Sequence, residues 1–137
     1  MADRQVYLSG PMAGYPDGNR AAFRDAADRL RAAGYRVWSP AEHGEPDLAW
    51  AAALHLDLTA LLTECDRVAV LDGWWASRGA MLEVQVAGAV GYPVRSVREW
   101  LMQAHRERDG SPTPRRTFAV RLRVTVAKRG APVYEEG

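Results

Sequence analysis

Residues 67–95 read RVAVLDGWWASRGAMLEVQVAGAVGYPVR. The stretch opens on an apolar run, Arg67–Leu71, of strand length. The loop Asp72-Gly73-Trp74-Trp75-Ala76 follows. Ser77 to Val90 then has helix length and an apolar character, with a Ser suited to the N-cap and Gly91 as its stop. Tyr92–Arg95 is another short strand. Strand, helix and strand in so few residues predict parallel neighbours in one sheet, joined through a helix.

Working outward, the pattern repeats. Gln5–Ser9 (QVYLS) reads as a buried strand, and Gly10 to Pro16 as a Gly/Pro loop. Asn19 to Ala33 reads as a helix, with Phe23, Ala26, Ala27 and Leu30 at helical spacing and Gly34 at its end. Tyr35–Ser39 is a strand stopped by Pro40, Leu48 to Leu62 is helical, and Ser96 to Arg108 forms a last helix. The predicted class is α/β: a Rossmann-like or flavodoxin-like parallel sheet flanked by helices, over residues 1–109. Ligands of such sheets bind beyond the carboxyl ends of the strands. Here those ends are the loops at 9–16, 39–47 and 72–78.

Residues 110–137 are read as a linker and a basic tail. Phe118, Val120, Leu122, Val124 and Val126 alternate with polar or small residues, predicting one added C-terminal strand on the sheet edge or on a neighbouring subunit. Residues 1–110 hold 12 Lys/Arg and 15 Asp/Glu, a net −3, and residues 111–137 hold 6 and 2, a net +4. An acidic body does not suit nucleic acid, so none is expected as a partner. Met1–Arg4 leads straight into the first strand, without the apolar region of a signal peptide. No run is long enough to span a bilayer. A cytoplasmic protein is expected. Cys65 is the single cysteine, and His43, His55 and His105 form no ligand pattern, so no metal site is expected.

Glu83 is the only charged residue between Gly79 and Val94. A carboxylate in so apolar a helix must be paired, protonated or turned to a cavity. Helical side chains lean over positions i−3 and i−4. For Glu83 these are Ala80 and Gly79, which leave room for a ligand. The alternative is a core glutamate paired with Arg78. Ser77 is either an N-cap alone or an N-cap that also offers an anion site. Gly10, between Ser9 and Pro11-Met12, allows close backbone approach of a ligand. Asp57 is a candidate second carboxylate, or an exposed helix position. Asp72 ends a strand, where sites form, but Asp-Gly also makes turns. Trp74 and Trp75 either stack on a base or cover the sheet end.

Together these motifs resemble a known group: Tyr7-Leu8-Ser9-Gly10-Pro11-Met12, Asp57-Leu58, Cys65-Asp66, Gly73-Trp74, Ser77 through Glu83, and Gly91-Tyr92-Pro93-Val94. The chain resembles the nucleoside 2-deoxyribosyltransferase superfamily over residues 5–95, in particular its small, often phage-encoded DUF4406 branch. The resemblance implies Glu83 as the nucleophile that forms an ester with the sugar's anomeric carbon, Tyr7 as the residue orienting it, and Asp57 at the sugar or departing base. Ser9, Gly10, Pro11, Met12, Asp72, Gly73, Trp74, Ser77 and Gly79 would surround the substrate. In the branch acting on nucleoside 5′-monophosphates, a Ser six residues before the Glu binds phosphate, and Ser77 stands there. A second phosphate-binding Ser of that branch is replaced by Pro11, which leaves Ser77 and the Gly10 and Met12 amides. The implied activity is an N-glycosidase with no cofactor, and the alternatives are base exchange between deoxyribosides or nucleotide binding without catalysis. The implied partners are a small nucleotide or nucleoside and further copies of the chain in a homodimer or larger homo-oligomer.

Overall fold

A computed structural model describes residues 4–44, 48–110, 122–126 and 132–136. Strand β1 (Gln5–Ser9) leads to helix α1 (Arg20–Ala32), β2 (Val37–Trp38), α2 (Trp50–Glu64), β3 (Cys65–Val70), α3 (Arg78–Ala89), β4 (Val94–Ser96) and α4 (Val97–Asp109). The four strands form one parallel sheet in the order β2-β1-β3-β4. The chain therefore leaves the sheet centre in both directions, and β1 and β3 flank the point where the order reverses. A crevice opens there in sheets of this kind.

Alternation along the strands builds two cores. Val6 and Leu8 of β1 pack with Phe23 and Leu30 of α1 and Trp100 of α4. Tyr7 of β1 and Val68 and Val70 of β3 pack with Leu61 of α2 and with Ala80, Val84 and Ala87 of α3. The indole of Trp100 donates to the Val68 carbonyl at 2.8 Å, which ties α4 to the sheet. Ser96 and Glu99 close a reciprocal capping box at the start of α4.

Two elements differ most from expectation, beyond shifts of about two residues at the ends of α2, β3 and β4. Strand β2 keeps only Val37 and Trp38 of the predicted Tyr35–Ser39, because it pairs on one side alone and runs into Pro40, which has no amide to donate. The expected C-terminal strand does not join the parallel sheet. Its first part, 118–121, lies outside the described residues. The rest, β5 (Leu122–Val126), pairs antiparallel with β6 (Pro132–Glu136) in a separate two-stranded sheet. A nearby partner in sequence costs less loop-closure entropy than a distant edge. Strand β6 went unread because Pro132 and the Glu135-Glu136 pair hide its short alternation. Pro is tolerated at the first position of a strand.

Candidate active site at the carboxyl end of the sheet

The pleat of β1 turns Tyr7 and Ser9 to the face that α3 covers. Both side chains are fully buried, and both end on Glu83. The Tyr7 phenol donates to Glu83 Oε2 at 2.7 Å, and Ser9 Oγ donates to Oε1 at 2.8 Å. Each carboxylate oxygen thus has its own hydroxyl. Arg78 does not pair with Glu83; its guanidinium stacks over the ring of Trp50, 4.3 Å from the centroid. Glu83 is held by hydroxyls in a buried place, and its charge is left for something else.

The electrostatics follow from that placement. Burial raises the Glu83 carboxyl to about 7, the Asp57 charge adds to the rise, and the Tyr7 and Ser9 hydrogen bonds oppose it. Burial alone lifts Asp57 to about 6. The Tyr7 phenol is pushed well above 10 by burial and by the Glu83 and Asp57 charges, so it remains a donor at any working pH. Its ring is fixed from behind. Tyr7 lies flat on Trp38 (5.4 Å, 11°), and Trp38 lies flat on His43 (4.3 Å, 3°).

In front of Glu83 lies a cavity of about 540 Å³ whose wall includes both carboxylates. That volume suits a small-molecule ligand. Gly10, Pro11, Met12, Ser77 and Gly79 also reach the wall, as expected. The Asn19 side chain fixes the β1–α1 loop by donating to the Pro11 carbonyl at 2.9 Å. Ser77 caps α3 by accepting from the Ala80 amide at 3.2 Å, and it faces the cavity as well. At this helix start the first amides have no carbonyl of their own helix to meet.

Other expected residues sit elsewhere. Tyr7 and Ser9 stand behind Glu83 rather than on the wall, and the Ser9 hydroxyl is engaged by the carboxylate. Asp72 is exposed and off the wall. Trp74 is buried in the core, because residues Trp74–Ala76 form a 3-10 turn that folds its ring inward. Trp75 is 61% exposed and edge-on to Trp74, away from the cavity. Neither indole is placed to stack on a ligand there. Gly73, at φ +83°, is a supporting residue: the Tyr15 hydroxyl lies 2.9 Å from where its Cβ would be. Gly10 makes room first for the protein, since a Cβ there would stand 2.7 Å from Leu71 Cβ.

The structure adds Tyr15, Arg20, His43, Trp50 and Arg78 to the wall. Arg20 and Arg78 bring two cations to it, and among the described residues Arg20 pairs with an exposed Asp17 at 3.9 Å. Their signal in the sequence was faint, because an arginine at a helix start reads as a solvated charge. Among the described residues, no three His, Cys, Asp or Glu side chains gather as a metal site would need. No helix there is long and apolar enough to cross a membrane.

The model of a family described as a domain of unknown function, DUF4406, matches residues 4–96. The chain belongs to the DUF4406 family. The DUF4406 segment runs from the residue before β1 to the end of β4, and every residue described above on the cavity wall lies inside it. Helix α4 and the β5–β6 hairpin lie beyond it. No curated protein matches the chain.

Proposed function

We propose that this DUF4406 protein is an N-glycosidase that cleaves the base–sugar bond of a nucleoside 5′-monophosphate, with Glu83 as nucleophile. The observation that carries this reading is the Glu83 carboxylate, buried and gripped by Tyr7 and Ser9 but facing a cavity it shares with Asp57. The resemblance to nucleoside 2-deoxyribosyltransferases supports the same roles.

In this mechanism a Glu83 oxygen attacks the anomeric carbon as the bond from that carbon to the base nitrogen breaks. The bonding pair leaves with the base, and Asp57 delivers a proton to it. The product of the step is a glycosyl ester on Glu83. Asp57, now ionised, takes a proton from water, and the water oxygen attacks the same carbon and expels Glu83. With the carboxyls at about 7 and about 6, the pair holds on average one proton between those values. The reactive arrangement has that proton on Asp57. With Glu83 the more basic of the two, that arrangement is the minor one, and the Tyr7 and Ser9 hydrogen bonds raise its share by stabilising an ionised Glu83.

Phosphate is assigned to the polar wall: Ser77, the start of α3, and the Arg20 and Arg78 cations. The cytoplasmic nucleotide pool is the proposed source of substrate. A homo-oligomer belongs to the same proposal, since α2 leaves Leu56 and Leu62 exposed, at 38% and 42%. Sedimentation as a monomer at micromolar concentration would remove that part. The deciding experiment incubates the protein with a panel of ribo- and deoxynucleoside monophosphates, with and without an added free base, and follows base release by chromatography. Release is expected from monophosphates and is lost in Glu83→Ala. Exchange onto the added base would reassign the protein as a transferase. Intact binding with no release from any of them would overturn catalysis and leave a nucleotide-binding protein.

A further inference from the structure

Trp50 opens α2 and is 46% exposed, although it is the largest side chain on the cavity wall. A tryptophan left half in solvent gains little from core burial. Its placement is nonetheless defined from two sides. The Arg78 guanidinium lies 4.3 Å over the ring centroid. The indole Nε1 is the nearest atom to the position a Cβ on Gly79 would take, at 3.9 Å. The indole therefore sits over the first turn of α3, with its Nε1 edge toward residue 79.

Glu83 is four residues further along the same helix, about 6 Å of axial rise. Attack on a sugar needs the anomeric carbon about 3–3.5 Å from a Glu83 oxygen. The base is bonded directly to that carbon, so a base directed along the wall toward the start of α2 meets the indole. Of the other aromatic rings, Trp74 is in the core and Trp75 is off the wall, while on the wall the His43 ring is stacked on Trp38 and the Tyr15 hydroxyl is turned to Gly73.

We propose that Trp50, oriented by the Arg78 guanidinium, is the stacking platform for the substrate's base and determines base specificity. The inference rests on the nucleotide reading above. An indole face reads ring area rather than hydrogen-bonding edges, so the platform favours purine over pyrimidine monophosphates. Arg78 acts as a positioning residue in this role, holding the indole plane.

The test compares Trp50→Ala and Trp50→Phe with the unaltered protein on a purine and a pyrimidine nucleoside monophosphate, reading KM and kcat separately. Circular dichroism checks that each variant is folded. Trp50→Ala is expected to raise KM for the purine substrate by about 5- to 150-fold, with a smaller rise for the pyrimidine and kcat within a few-fold. Trp50→Phe keeps most of the affinity. Unchanged KM for both substrates, or a fall in kcat alone, overturns the platform while leaving the glycosidase reading intact. If the unaltered protein releases no base, the glycosidase reading falls, and equilibrium dialysis of the purine monophosphate decides the platform. Equal binding by the unaltered protein and Trp50→Ala, or binding by neither, overturns it.

Discussion

Replacing Tyr7 by Phe removes a single oxygen from the site and should change the chemistry through charge rather than shape. The ring keeps its place, because Trp38 stacks on it at 5.4 Å and the core around it is apolar. What disappears is the 2.7 Å hydrogen bond to Glu83 Oε2. A hydrogen bond to a charged group contributes about 1.5–3 kcal/mol. Nearly all of it acts on the ionised form, so its loss lifts the Glu83 carboxyl by about 1–2 pH units. From a starting point of about 7, the ionised fraction at pH 7 drops from about half to between about a tenth and a hundredth. The rate of base release at pH 7 should fall about 5- to 50-fold. The deficit should shrink to about twofold or less by pH 9, where the carboxyl of the variant ionises as well. The phenol of the unaltered protein remains protonated over that range, so its own titration does not intrude. The assay is the ratio of kcat/KM between the two proteins from pH 5 to 9, with the Glu83 carboxyl followed independently by carbon NMR. A ratio that does not change with pH, or a Glu83 titration that does not move, would refute the account of Tyr7 as a charge-stabilising donor.

Three further outcomes follow from the same geometry. The fold holds the Glu83 carboxyl at about 7 against an ordinary 4.5, so the folded state binds the extra proton. That contribution is complete below about 4.5 and is lost as pH rises through 7, an expense of up to about 3 kcal/mol. Glu83→Gln should flatten the stability–pH curve from urea melts over this window, and an unchanged slope would count against a buried glutamate. Asp57→Asn should lower kcat/KM by about 10²–10⁴-fold and erase the alkaline limb of the pH profile, whereas a retained limb would assign the acid to another group. Gly10→Ala should cost about 1–3 kcal/mol in denaturant unfolding, because Leu71 Cβ, 2.7 Å from the new methyl, is bonded to its own backbone and cannot rotate away; an unaltered midpoint would show that the strand ends shift freely.

The parts of this molecule that depend on periodicity were legible in the sequence. Short buried runs in Gln5–Ser9 and Arg67–Leu71, and apolar spacing in the helices, announced a parallel α/β sheet, and the structure has one. Glu83 was legible for a related reason: a charge inside an apolar helix breaks its pattern, and a burial cost of that size calls for an explanation. Tyr7 was legible through the resemblance. Ser9 was seen but misplaced, because a residue at the last position of a strand faces either the loop or the helix that covers it. Only the register with α3 decides which, and here Glu83 lies opposite.

The two tryptophan readings show where such reasoning stops. Trp74-Trp75 was conspicuous because the pair is adjacent and lies in a loop beyond a strand, where ligands bind. Its fate was set by a 3-10 turn of three residues, which buried one ring and sent the other to solvent. Trp50 was inconspicuous because it lies near the start of a helix already rich in apolar residues. That helix has only Ala60 and Leu61 buried among its fifteen residues. Helical spacing says which residues share a face, and it does not say whether a face is covered. The exposure of α2 therefore became visible only when the sheet and α3 were in place, and it moved the aromatic wall of the candidate site from the β3–α3 loop to the start of α2. The Trp50 variants carry the functional consequence of that move, since an aromatic contact from the β3–α3 loop would leave KM untouched by them.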